Sequence, residues 1–242
     1  MCGIIGHIAP LGLIPDQAAV RHGCNLLQHR GPNGSGIINL RQACLSHRRL
    51  SIIDLEGSSQ PWTSNCGRYH IVFNGEIYNY LELRSELGHK GYEFRSHGDT
   101  EVLLNLYIAY GPHCLDQLNG MFAFAVWDEK DQSLFIARDR IGKKPLYYSQ
   151  QKEGLVFASE LKALSGFKFI SNGIDMLAVN DFFAHQFIGE DRTIYSEVKK
   201  LPPAHSLFFQ NNKISIRRYW IPPLPIATNY DEEYLSKELY SA

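Results

Sequence analysis

Apolar residues fall along this chain in short runs broken by polar turns, and the period changes from one run to the next. Residues 3–9 are an apolar run that predicts a buried strand starting almost at the terminus, which would hold the first residues still. Residues 16–29 predict a helix with Ala19, Cys24 and Leu27 among its core positions, and Arg30-Gly31-Pro32-Asn33-Gly34 stops it. Residues 35–40 and 43–48 read as a hairpin, and 69–74 as a strand running into the turn-rich Asn74-Gly75-Glu76. Two helices follow. In the second, Val102, Leu103, Leu106, Tyr107 and Tyr110 recur at helical spacing and predict a one-face stripe, with Asp99 or Thr100 at the N-cap position. Beyond Gly120 the pattern turns to strands at 121–127, 133–138, 146–149 and 155–159. A helix near 175–185 and strands around 206–209 and 214–219 complete it.

Closely spaced strands with a few helices inserted as a block predict an α+β protein whose sheets are mainly antiparallel. The strands lack strict polar alternation, so both faces should be covered, and two stacked sheets with helices outside satisfy that. After Trp220 the character shifts: Ile221-Pro222-Pro223-Leu224-Pro225 is a stiff linker, and 230–240 begins a polar helix with nothing of its own to pack against. The expected organisation is one domain over 2–220, then a linker and the start of something longer over 221–242.

Composition narrows the class. The chain is 44% hydrophobic, 12% aromatic and 20% charged over 242 residues, enough for a sizeable core and unlike a disordered chain. With 24 Lys+Arg against 25 Asp+Glu, and Arg48-Arg49 and Lys199-Lys200 as isolated basic pairs, no nucleic-acid footprint is present. The five cysteines are odd in number, dispersed and never paired as C-x-x-C, which argues against a disulfide scaffold or a structural zinc. Cys24, on the first helix, suits a small buried hydrophobe. The ten histidines include no His-Glu-x-x-His, so no protein-bound metal is expected. No signal peptide and no apolar run approaching the ~20 residues of a membrane span is evident, and a soluble cytoplasmic protein is the expectation.

Chemistry enters at the second residue. If Met1 is removed, Cys2 carries a thiol and a free α-amine together. That amine has a reference pKa near ~7.7–8.0, so part of it is neutral and able to take a proton near neutrality. A thiol attacks as thiolate, and an adjacent base supplies that form. One residue then holds both halves of a nucleophile–base pair, unless Cys2 is an accident of a frayed end.

The surrounding motifs decide between these. Cys2-Gly3-Ile4, His29-Arg30-Gly31-Pro32, Arg49-Leu50-Ser51-Ile52-Ile53-Asp54, Phe73-Asn74-Gly75-Glu76-Ile77-Tyr78-Asn79, Gly98-Asp99-Thr100-Glu101 and the run from Arg138-Asp139-Arg140 to Pro145-Leu146-Tyr147-Tyr148 resemble class II glutamine amidotransferases. With Phe157-Ala158-Ser159-Glu160 and Lys162-Ala163-Leu164, they most resemble the glutaminase domain of glutamine-hydrolysing asparagine synthetases, over roughly 2–220.

The resemblance implies an N-terminal-nucleophile αββα sandwich and the hydrolysis of L-glutamine to glutamate and ammonia through a γ-glutamyl thioester on Cys2. It implies Asn74 and Gly75 as the oxyanion hole, where one donor is typically worth ~10²–10³ in rate. The alternative for Asn-Gly is a hairpin turn. Arg49 would bind the substrate α-carboxylate through its planar fork, and Asp99 the α-ammonium with Glu76 assisting. A surface charge and a plain helix cap are their alternatives. Ile53 and neighbouring backbone would line the slot. Arg30 is expected to shape the loop over the site.

Two departures accompany the match: Asn33 stands where the family usually has Asp, and Gly98 precedes Asp99, beside a His97 that belongs to no metal pattern. The basic and aromatic 138–148 segment suits contact with a partner domain or closure of a hairpin, the former being the expectation. A Ser-Gly-Gly-x-Asp-Ser phosphate signature and a P-loop are both missing, so this stretch cannot itself make asparagine. The implied partners are L-glutamine and a synthetase domain following 221–242, with a homodimer left open. The hydrolysis would need no cofactor, and ATP and Mg²⁺ would serve only that further domain. The competing readings are an amidotransferase of amino-sugar or purine synthesis, and a non-catalytic glutamine-binding domain.

Overall fold

The computed structural model describes residues 1–51, 57, 59–189, 191–223 and 232–241. In chain order the elements are β1 (Gly3–Ile8), α1 (Gln17–Leu26), β2 (Gly34–Asn39), β3 (Ala43–Arg49), β4 (Trp62–Thr63), β5 (Tyr69–Ile77), α2 (Tyr80–His89), α3 (Asp99–Tyr110) and α4 (Cys114–Gln117). Then follow β6 (Gly120–Asp128), β7 (Ser133–Arg138), β8 (Tyr147–Gln151), β9 (Gly154–Ala158), α5 (Met176–His185), β10 (Lys199–Lys200), β11 (His205–Gln210), β12 (Lys213–Arg218) and α6 (Glu232–Ser241). The strands form two six-stranded antiparallel sheets, ordered β10-β8-β9-β1-β3-β2 and β12-β11-β7-β6-β5-β4.

Alternation along the central strands builds four layers. Ile4 and Ile8 of β1 and Leu45 of β3 pack across the interior against Val72, Ala125, Trp127 and Ile136 of the second sheet. Ile5, one residue out of phase, packs outward with Ala19, Val20 and Cys24 of α1. Ile71, Phe73, Phe122, Phe124 and Phe135 face outward against Leu83 and Leu87 of α2 and Val102, Leu103 and Leu106 of α3. Because each sheet is covered on both faces, its strands read as near-continuous apolar runs. The αββα sandwich expected from the sequence is the fold found, and no helix among the described residues is long and apolar enough to cross a membrane.

Four local expectations need correction. Asn74-Gly75-Glu76 is not a turn: β5 continues to Ile77, with Asn74 opposite Ala123, Gly75 opposite Phe122 and Glu76 opposite Met121. Gly98 is the N-cap of α3 and Asp99 its first helical residue, with its carboxylate turned away to accept from the Ile77 N–H at 3.1 Å. The first eight residues of α3 are all buried, so its stripe is not confined to one face; the helix is enclosed at that end. Finally, α1 ends at Leu26, short of His29, and a turn follows in which Arg30 N–H donates to Leu27 O. The two-residue strands β4 and β10 are too short to leave a periodic signal. The expected C-terminal helix is α6, whereas 224–231 lies outside the described residues.

Candidate active site

Cys2 leads directly into β1 at the centre of the first sheet. Its carbonyl accepts from Arg30 Nε at 2.8 Å, and Arg30 Nη1 pairs with Glu160 at 2.9 Å. Arg30 is buried, so this pair anchors the Cys2 backbone. The Leu50 N–H donates to Cys2 Sγ at 3.4 Å while the thiol faces Leu50 O at 3.6 Å. Burial pushes the thiol's pKa up; the Leu50 N–H, the terminal amine, Arg49 and Lys144 oppose that rise. Asn33, the uncharged departure, accepts from the Ser51 N–H at 3.1 Å, a bond an amide makes as readily as a carboxylate.

Across the interior stands β5. Strand parity sends the N–H groups of Phe73, Gly75 and Ile77 to the edge away from β6. The Phe73 N–H meets Gln60 Oε1 at 2.7 Å and the Ile77 N–H meets Asp99, so the Gly75 N–H emerges between two filled positions. Asn74 lies on the face toward the first sheet. It is 1% exposed, and neither its amide nitrogen nor its amide oxygen has a hydrogen-bond partner. A buried amide with both ends unsatisfied costs stability and points to a ligand. Gly75 is required sterically: a Cβ there would fall 2.2 Å from Met121 O and 2.6 Å from the Phe73 ring.

Cys2, Arg49, Asn74, Gly75, Glu76 and Asp99 all line one cleft of about 220 Å³. Ile53, the remaining expected residue, lies outside the described residues. Asp99 is 7% exposed, and burial, reinforced by the charge of Glu76, pushes its carboxyl up to about 6.

Among the residues of the cleft that were not anticipated, two carry side chains able to titrate. His47, on β3, is buried, and its Nε2 donates to the Phe73 carbonyl at 3.1 Å. A carbonyl only accepts, so Nε2 carries the proton and Nδ1, which has no partner, is a bare acceptor. Burial lowers this imidazole to about 3, so it is neutral. Its contact spans two sheets and has no local sequence signal. Lys144 is the second. It sits on the 139–144 loop, where Asp139 accepts from the N–H groups of Lys143 and Lys144 at 2.9 Å and from those of Phe122 and Ile141 at 3.3 Å. Arg138 donates to the carbonyls of Lys144, Gly142 and Leu201. Arg138 and Asp139 thus close the loop from within, while Ile141 and Lys143 at its tip are exposed. Among the described residues no group of three or more His, Cys, Asp or Glu is arranged to hold a metal.

The chain matches the model of the glutamine amidotransferase domain over residues 1–220. It is 38% identical over 227 residues to a Bacillus subtilis protein named asparagine synthetase [glutamine-hydrolyzing] 3, covering 91% of this chain and 36% of that one. It is 39% identical over 249 residues to asparagine synthetase [glutamine-hydrolyzing] 1 of the same organism, covering 100% of this chain and 39% of that protein. The solved glutamine phosphoribosylpyrophosphate amidotransferase of B. subtilis aligns with a TM-score of 0.65 at 19% identity, covering 91% of this chain and 50% of that one, which shows a shared fold. The chain therefore spans between a third and two fifths of the length of these two curated relatives.

Proposed function

This chain belongs to the class II glutamine amidotransferase domain family, and on that premise we propose that it hydrolyses L-glutamine to L-glutamate and ammonia with Cys2 as nucleophile. Removal of Met1 frees the Cys2 α-amine, which takes the thiol proton. The thiolate attacks the side-chain amide carbon, and the Asn74 amide N–H and Gly75 N–H receive the oxyanion. Collapse returns the proton to the leaving nitrogen, ammonia departs, and a γ-glutamyl thioester remains. Water, deprotonated by the same amine, opens the thioester and restores the thiol. Arg49 takes the α-carboxylate, Asp99 with Glu76 the α-ammonium, and Ile53 with its neighbours the flank of the slot. The observation that carries this reading is the unpaired, buried Asn74 amide in the same cleft as Cys2.

The steps use protein groups and water alone. We further propose that the ammonia serves a synthetase domain beyond this chain, which would bring the need for ATP and Mg²⁺. Five free thiols fit a reducing compartment, the cytoplasm. The test is intact mass before and after treatment with a glutamine-mimicking diazoketone. A chain lacking Met1 that gains one adduct, mapped to Cys2, is the expected result. A chain lacking Met1 that gains no adduct and releases no ammonia from glutamine overturns the reading.

A further inference from the structure

Lys144 is a lysine in an unusual position. It is 6% exposed, it lines the cleft beside Cys2, and among the described residues its ammonium has no hydrogen-bond or ion-pair acceptor. Burial of the side chain lowers the pKa of this ammonium below the ordinary lysine value, so its charge is held at a cost. The fold nevertheless holds it there firmly. Asp139, itself 1% exposed, fixes the Lys144 backbone and at the same time that of Phe122, the residue opposite Gly75. Gly142 turns the loop at a φ of +71°, where a side chain would strain it. The loop is therefore built to one geometry, tied to the strand that carries the proposed oxyanion hole, and what it delivers to the cleft is a positive charge.

We propose that Lys144 is the cation that sustains Cys2 as a thiolate, a positioning residue that acts through its charge and transfers no proton. The inference rests on the reading of Cys2 as nucleophile. When the thiol ionises it gives up its contact to the Leu50 carbonyl and keeps the Leu50 N–H as donor. The thiolate then needs positive charge from its surroundings. The terminal amine and Arg49 supply some, but the first becomes cationic only on taking the proton and the second is assigned to the substrate carboxylate. Arg30 is bound to Glu160 and to the Cys2 carbonyl. The acidic groups that share the cleft are Glu76 and Asp99, and Asp139 lies beneath the loop. His47 is neutral and adds nothing to this balance. Lys144 remains as the cation with no ion-pair partner among the described residues, and its charge acts on Cys2, Asp139 and Glu76.

The experiment is the rate of alkylation of Cys2 by iodoacetamide, mapped by mass spectrometry to the Cys2 peptide so that the exposed Cys66 does not contribute. It is followed from about pH 6 to about pH 10 in the 242-residue chain, Lys144→Met and Lys144→Arg. The methionine keeps the buried stem and removes the charge; the arginine keeps the charge. Lys144→Met should alkylate about tenfold more slowly near neutrality and reach the same plateau at high pH, the signature of a thiol pKa moved up by about one unit. Lys144→Arg should restore most of the rate. A merely structural lysine would change the plateau or nothing. Superimposable profiles overturn the proposal, as does a Lys144→Met variant whose only defect is a raised KM for glutamine, which would make the lysine a partner of Glu76. Glutamine hydrolysis by the unmodified chain is assayed in parallel. Its presence with superimposable profiles separates failure of this inference from failure of the functional reading, and the alkylation profile tests the lysine even if hydrolysis is not seen.

Discussion

At the level of single residues, the carboxyl of Asp99 holds the Ile77 N–H and, in the reaction proposed, would take the substrate ammonium, two jobs whose pH dependences run in opposite directions. Its pKa in the fold, about 6, lies above the ordinary 3.8, so the native state holds a proton that the unfolded chain has released between those values. Stability from this group is fully present below the unfolded value and falls as pH rises toward 6. Asp99→Asn, which keeps an oxygen for the Ile77 N–H, should therefore be more stable than the parent at pH 7, by on the order of 2–3 kcal/mol, and equal to it near pH 4. Denaturant melts at both pH values check this. Binding runs the other way: only the carboxylate can accept the ammonium, so kcat/KM for glutamine should fall about tenfold per unit below pH 6. The asparagine variant should lose that limb together with most of its affinity. Asn74 gives a cleaner separation. Asn74→Ala should lower kcat by ~10²–10³ with little change in KM, because its N–H meets charge that exists only in the transition state. A loss confined to KM would remove it from the oxyanion hole.

At the level of elements, most strands were legible within a residue or two because apolar runs bounded by turns survive burial on both faces. The failures share a cause: at each of these positions a long-range contact overrides the local chemistry. Asn74-Gly75 has turn chemistry, yet β6 pairs across it without interruption. Asp99 has cap chemistry, yet its carboxylate goes to β5. Lys144 follows Lys143 in a basic loop and His47 stands between Ser46 and Arg48, and nothing within several positions of either tells that its side chain will be buried in the cleft. Gly75 shows how strictly pairing fixes a residue. In Gly75→Ala the new carbon would meet backbone at 2.2 Å, so β5 and β6 must part. A loss of at least ~3 kcal/mol is expected, seen as a lower melting temperature or failure to accumulate as soluble protein. Gly88 in α2 is the counterpart. Nothing lies within 4 Å of its added carbon, and Gly88→Ala should raise stability by ~0.5–1 kcal/mol through helix propensity alone. If the two substitutions move the melting temperature alike, the packing of β5 on β6 is not what holds Gly75.

On the scale of the whole molecule, the reaction proposed needs both sheets. Cys2 and Arg49 come from the first and Asn74, Gly75 and Glu76 from the second, with Asp99 brought in by a helix on the second sheet's outer face. All of these residues lie inside the family match at 1–220. The sequence made this grouping visible, because every motif it displayed falls before Trp220. What it could not supply was the closeness of the two sheets that turns separate motifs into one cleft. The consequence can be tested on the chain as it stands. Incubated with glutamine, aspartate, ATP and Mg²⁺, it should release glutamate and ammonium in equal amounts and form no asparagine, because no phosphate-binding signature accompanies the site. Omitting aspartate and ATP should leave the glutaminase rate unchanged. Amino-acid analysis of the mixture reads both. A rate that rises when aspartate and ATP are added would place a nucleotide-responsive element within these 242 residues, and the separation of hydrolysis from ammonia use would then have to be abandoned. If the rate is indifferent to both, control of the glutaminase by the acceptor's state must come from a surface contact with another domain, since the cleft itself would hold everything the hydrolysis uses.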